Sequence, residues 1–466
     1  MVRTKFDWID FIKKVAIIAV PVALQNLLTT TGTMVDTMMI APLGETSVAA
    51  VGLCAQFANL MFSCYWGFVG GGMLFFAQYW GAKDHNGISR AYGTTIFFLL
   101  TVASIFTVTS LVAPEFVMQI FTDKVSIQKI GVEYLRIACL SYPFLIFSVG
   151  MGALLRSTER VKIPLYASIA SVATNIILNW IFIFGKLGLK PMGVRGAALA
   201  TVCAAFVNAL MTLVLGKFAK YEYLFTFKKH FHWTKEWIGE YLKKCFPIIC
   251  NELFVGIGFT VSNIVLGRQP EEAIAALAVF RTIEGLIIGF FAGFSNAASV
   301  LVGKCIGAGD IKTAYSRATR LVLLCATVIF SVCALILVFH TPLLHIMSLS
   351  GKSFDYATKM LMVYSVAALI RMCNWMQNDT YRTGGDTAFG TIMEIVFMYV
   401  MVIPAVCLTG LVFKLPTMIV FACAYIDEPI RFVIMQKHMY SAKWIKPVTR
   451  QGKEAVKKFM EERESV

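Results

Sequence analysis

Apolar runs long enough to cross a bilayer recur from one end of this 466-residue chain to the other. A bilayer core takes about 20 mostly apolar residues per helix. Inside lipid, backbone polar groups must be satisfied within the spanning element itself. A chain made of such runs therefore folds as an all-α, polytopic membrane protein. Composition agrees: 58% of residues are hydrophobic, 15% are charged and the mean hydropathy is +0.71, whereas soluble domains carry about 25% charged residues. The opening MVRTKFDWIDFIKK lacks the short apolar core and small-residue cleavage site of a secretory leader, so no cleaved leader is expected.

Twelve spans are expected, near 15–40, 48–78, 91–113, 131–155, 163–185, 194–216, 246–267, 273–303, 317–339, 357–381, 388–412 and 415–436. An even number puts both termini on one side. Lys and Arg number 27 in the N-terminal segment, the even-numbered connections and the tail, against 7 in the odd-numbered connections. Positive residues stay inside, so both termini are expected in the cytoplasm, with the chain in the plasma membrane. The net charge of +15 then meets anionic lipid at that face and calls for no nucleic-acid partner. Two readings of the tail KWIKPVTRQGKEAVKKFMEERESV stay open, an interfacial helix and a solvated segment. None of the twelve cysteines is spaced as CxxC, so they read as small core residues, with no metal or cofactor expected.

The chain repeats itself. PVALQNL at 21 recurs as PIICNEL at 247, SVAAVG at 47 as AIAALA at 273, and GAKD at 81 as GAGD at 307; Arg156 returns as Arg382. Each pair is offset by 226 residues, and a fixed offset is the mark of duplication. The expected plan is an N-terminal six-helix bundle over 1–216, a basic cytoplasmic connection over 217–245, a C-terminal six-helix bundle over 246–437 and a basic tail over 438–466. Two halves of six helices enter the membrane from the same side. That is the plan of parallel-repeat transporters, with a central cleft and alternating access. A channel fits less well, because no re-entrant filter segment is found.

At these residues the sequence resembles the multidrug and toxic compound extrusion (MATE) family. The carriers are PVALQNLLTTTGTMVDTMMIAPLGETSVAAVG with AQYWGAKD, then NIILNWIFIFGKLGLKPMGVRGAALAT at 175–201, PIICNELFVGIG, and RTGGDTAFGTIMEIVFMYVMVIP at 382–404. The resemblance covers nearly the whole chain. It implies drug or cation antiport driven by a proton or sodium gradient.

Asp36 stands out first, as the single charge in the run from Val15 to Glu45. It lies about 31 Å along the helix axis from Val15, in the outer half of the span. A carboxylate there costs roughly 2.5 kcal/mol or more unless it is paired or wet. One reading is a water-satisfied group near the outer interface. The other is a buried carboxylate facing the N-terminal half's cavity. Burial disfavours the ionised form of an acid, so such a group can exchange a proton or hold a cation. The resemblance implies a functional aspartate at this position. Asn175 and Asn179, four apart, share a helical face; they serve either as interhelical glue or, with Asp36 and the Thr201 hydroxyl, as an ion site. Some family branches carry an aspartate where Asn179 stands. Metal binding is not expected, apart from sodium at Asp36, Asn175 and Asn179.

In the second half, Glu252 aligns with Asn26 across the repeat. Where branches of the family place an acid one turn beyond Glu252 this chain has Val255, and Arg371 stands where they place an aspartate. Glu252 and Arg371 are therefore expected to form a buried ion pair or to act in coupling. Arg281 and Glu284, three apart, can pair on one face. Arg156, Arg382 and Asp386 read as helix-end and turn residues. Pro21 and Pro247 sit at equivalent places inside the first helix of each half and are candidate hinges. Tyr142, Met38 and Met39 are candidate substrate contacts, since aromatic rings and methionines suit flat lipophilic cations. The substrates expected are small organic compounds, cationic in character, handled by a monomer.

The competing reading is a lipid-linked oligosaccharide or lipid flippase of the same wider superfamily. The twelve-span count and Asp36 favour the exporter. An enzyme is not expected: the six histidines include no i, i+4 pair, and no phosphate-binding loop or nucleophile elbow is present.

Overall fold

The structure is a computed structural model that describes residues 6–225, 230–231, 233–347 and 349–464. Among these residues the chain is helical apart from its turns and a single antiparallel bridge, Gly385 to Ile445. In chain order the helices are α1 (Trp8–Ile40), α2 (Glu45–Gly81), α3 (His85–Val112), α4 (Pro114–Phe121), α5 (Val125–Ser157), α6 (Lys162–Phe184), α7 (Val194–Phe218) and α8 (Lys235–Leu266). They continue as α9 (Glu271–Gly307), α10 (Ile311–Val338), α11 (His340–Ile346), α12 (Gly351–Gly384), α13 (Phe389–Val412), α14 (Thr417–Cys423), α15 (Glu428–Ser441) and α16 (Arg450–Glu464).

Eleven of these helices are long and apolar enough to span a membrane among the described residues. They correspond to the first eleven expected spans. The twelfth, expected over 415–436, is instead two short helices, α14 and α15, joined at residues 424–427. The reason lies in the sequence: Asp427, Glu428 and Pro429 stand at its centre. Proline lacks the N–H that would continue the ladder, and the two carboxylates are buried against arginines rather than facing lipid. The connection expected over 217–245 is also shorter, because α8 already starts at Lys235. Residues 226–229 and 232 of that connection, and the last two residues of the tail, lie outside the described residues.

The chain divides into two compact units. One comprises Val20–Phe76 with Asp84–Leu242. The other comprises Met1–Ala19, Ala77–Lys83 and Lys243–Val466. In the first unit α6 lies along α7, and an apolar core forms around Cys54, Met118, Leu135 and Ile183. The opening turns of α8 belong to this unit: Trp237 donates to Thr94 at 2.9 Å and Tyr241 meets Thr95 at 2.9 Å.

In the second unit α9 lies along α12, and the end of α2 crosses α9 at small residues. Ala77 and Gly81 face Gly303 and Gly307, and a Cβ on either Gly81 or Gly307 would collide with the opposite helix's backbone. Small residues four apart on both helices are what so close a crossing requires. The pattern is symmetric: 77 and 303, 78 and 304, and 81 and 307 are all offset by 226. Over this crossing lies the tail. Gln78, fully buried, donates to the Thr383 carbonyl at 2.7 Å and accepts from the Val448 N–H at 2.8 Å. Thr449 donates to the Gly307 carbonyl at 3.0 Å, and the Lys446 N–H to the Gly384 carbonyl at 2.8 Å. Beyond this strap α16 packs on α9 and α10. Of the two readings of the tail, the helical one is the structure found.

Candidate functional site

In the first unit Asp36 lies in the last turns of α1, and Asn175 and Asn179 lie on α6. Asn179, fully buried, donates through Nδ2 to the Asp36 carboxylate at 2.5 Å and to Asn175 Oδ1 at 3.2 Å. Its own Oδ1 is buried with no partner. The three residues thus form a chain of polar groups between two helices, with one amide oxygen left over. Tyr134 on α5, which sequence reasoning missed, is buried and close enough to feel the Asp36 charge, with Thr201 beside it. The Thr201 hydroxyl donates to its own helix at Ala197 (3.0 Å). Nothing in the spacing of α5 marked Tyr134, because a buried tyrosine among apolar residues reads as core. Tyr142 is buried. Met38 is 72% exposed, and Met39 packs on the apolar core.

The repeat counterparts of the Asp36–Asn179 pair are Ser262 and Ala405, so the second unit has no equivalent. It carries a longer charged array instead. The expected Glu252–Arg371 pair is not formed. Arg371 pairs with Glu284 at 2.7 Å and approaches Glu428 at 3.8 Å. Glu252 lies 3.6 Å from Arg382, which also meets Asp379 at 3.3 Å. The cause is helical rise: Arg371 and Arg382 are about 16 Å apart along α12, and Glu252 stands at the level of Arg382. Arg382, read from sequence as a turn residue, is therefore the counter-ion of two carboxylates. Helix α12 runs on to Gly384, past the expected end of the span at 381, and so places Arg382 inside it. Arg281 and Glu284 do pair, at 2.5 Å.

The array continues sideways. Arg431 binds Glu428 at 2.7 Å and lies within 3.8 Å of both Glu394 and Asp427. Glu394 accepts from Asn251 at 3.0 Å and Asn378 at 3.1 Å. Ser295 donates to Asp379. Buried charges in low dielectric need such partners. The Asn251–Glu394 bond is itself the repeat of a bond in the first unit, Gln25 to Ser168 at 2.9 Å, displaced by 226 at both ends. Pro21 and Pro247 lie inside α1 and α8. Asp386, in the turn after α12, is held by His438 at 3.1 Å and Lys446 at 2.9 Å.

The family model MatE matches the chain twice, over residues 21–181 and 247–408. The two matches begin 226 residues apart, as the repeat does. The chain belongs to the MatE family. This is a family of multidrug efflux transporters, not of enzymes, and the chain is a multi-pass membrane protein. Among its relatives is a multidrug export protein, MepA of Staphylococcus saprophyticus. It is 26% identical over 418 residues, covering 85% of this chain and 88% of that one. An uncharacterized transporter, YisQ of Bacillus subtilis, is 22% identical over 421 residues, covering 88% and 90%. Solved structures share the fold. An outward-facing MATE family transporter aligns with a TM-score of 0.81 at 20% identity, over 92% of this MatE chain and 96% of that one. A transporter of the same superfamily from Pyrococcus furiosus aligns at 0.79 and 20%, over 92% and 95%.

Proposed function

We propose that this MatE chain is a secondary antiporter that exports lipophilic, cationic organic compounds in exchange for a proton, by alternating access, from the cytoplasm across the plasma membrane. Both termini lie in the cytoplasm. The observation that carries this reading is the 2.5 Å contact between Asp36 and the buried Asn179. A lone carboxylate held by a neutral amide, with no cationic side chain paired with it among the described residues, changes its charge by one when it binds a proton. An acid whose ionised form is disfavoured by burial is suited to that exchange. Tyr134 and Thr201 shape its surroundings.

A proton is preferred to sodium on coordination. Sodium wants several oxygens in a fixed cage, and here the amide group turned toward Asp36 is the Asn179 N–H donor. The export role follows the MepA relative, a multidrug export protein. The test is uptake of a cationic dye into inverted vesicles with a proton gradient alone, in sodium-free buffer. Uptake under these conditions supports proton coupling. Uptake that requires sodium and ignores a pH gradient overturns it and makes Asn175 and Asn179 sodium ligands.

A further inference from the structure

The two halves treat one arginine in opposite ways. Arg382 has two carboxylates, Glu252 and Asp379, within 3.6 Å. Its repeat counterpart Arg156, at the end of α5, has none among the described residues, although the Nε of both arginines is buried without a hydrogen-bond partner. The positions that supply carboxylates in the second unit carry no charge in the first: Glu252 corresponds to Asn26, Asp379 to Ala153 and Glu394 to Ser168, while the neutral Asn378 corresponds to Gly152.

The exchange also brings the guanidinium close over a glycine. A Cβ on Gly152 would stand 3.3 Å from the Arg156 Nη1 and 3.9 Å from Pro164. The guanidinium therefore lies over the glycine, against the first turn of α6. The ionisable neighbour that its charge reaches is Tyr65 of α2, a neutral phenol in its usual state. A guanidinium presents a planar fork of donors that fits a carboxylate or phosphate with two parallel bonds. Burying a cation without a counter-ion is costly. The second unit meets that cost with its own carboxylates, and the first leaves the fork open.

We propose that Arg156 is an oxyanion-binding site, taking the carboxylate of a ligand or the phosphate of an anionic lipid at the α5–α6 turn. It lies on different residues from the Asp36 site. It goes beyond the export reading, because it concerns binding and does not require transport.

The test uses the purified full chain in nanodiscs of neutral lipid. Two probes differ in one group, a fluorescent rhodamine with a free carboxylate and its methyl ester. Two variants accompany the wild type: Arg156→Gln removes the fork, and Ala153→Asp supplies the internal carboxylate that Arg382 enjoys. In parallel, native mass spectrometry follows retention of phosphatidylglycerol by the protein extracted from mixed lipid. If the oxyanion is a ligand carboxylate, the wild type binds the acid more tightly than the ester. Either variant then weakens the acid by about tenfold, the worth of a charge-assisted hydrogen bond, and leaves the ester unchanged. If the oxyanion is a lipid phosphate, the two dyes bind alike and both variants lose the retained phosphatidylglycerol. Unchanged dye affinities together with unchanged lipid retention in Arg156→Gln overturn the proposal. Binding of the acid without its export would leave this site standing and count against the export reading alone.

Discussion

Arg371 of α12 holds Glu284 of α9 at 2.7 Å, joining the two helices that lie along each other in the second unit. The carboxylate is 5% exposed, and its other oxygen takes Arg281 at 2.5 Å. Breaking a buried pair from one side typically costs about 3–5 kcal/mol, whereas replacing both partners can be nearly neutral. Glu284→Gln is therefore expected to lower the thermal midpoint strongly, and adding Arg371→Met to restore part of it. Thermal unfolding in detergent checks this. A double variant no better than the worse single would break the account.

Glu252 is more weakly held. Its distance to Arg382 is 3.6 Å and its side chain is 23% exposed. Glu252→Gln should destabilise by less than Glu284→Gln under the same conditions, because a wetter and longer pair gives up less on removal. Equal or larger loss would mean that Glu252 carries the array.

The strap over the helix crossing gives a local test. Gln78 bridges Thr383 and Val448 through its two amide atoms. Gln78→Leu leaves both backbone partners unmatched, at about 1–3 kcal/mol for each buried group. The expected outcome is a lower thermal midpoint together with faster protease cleavage beyond Ala442. Cleavage at the wild-type rate would show that the strap is held elsewhere.

Asp386 gives the pH dependence. Burial alone disfavours its ionised form, but hydrogen bonds from His438 and Lys446 prevail and hold it below the usual carboxylate range. A depressed acid contributes stability above its ordinary value, near 4, and loses it as pH falls through the depressed one. Asp386→Asn should therefore lower the thermal midpoint at neutral pH. The gap to the wild type should close as the pH is taken below about 4. A gap that stays constant with pH would exclude this role.

Much of the fold was legible in the sequence, for two physical reasons. Lipid demands unbroken apolar helices, so eleven spans announce themselves by length. Duplication keeps spacing after identity has faded, so the two six-helix halves were visible in the fixed offset of 226 residues, whereas the crossing at Gly81 and Gly307 came only with the structure. Asp36 was legible because a charge inside an apolar run is costly. The charge pairs were not. A single sequence says that Glu252, Glu284, Arg371 and Arg382 must each find a partner, but partner choice depends on how α8, α9 and α12 are phased against one another. Tyr134 was hidden for a related reason, since a tyrosine facing a carboxylate and one facing a core have the same sequence surroundings. The break near Asp427 was legible in principle from Asp427, Glu428 and Pro429, which outweigh the apolar residues around them.

The most direct test of the central claim is dye uptake by Asp36→Asn in inverted vesicles under a proton gradient in sodium-free buffer. Expression and thermal midpoint are measured alongside. The account predicts a folded protein whose uptake does not rise above the level without a gradient. Gradient-driven uptake at the wild-type rate by this variant would contradict it.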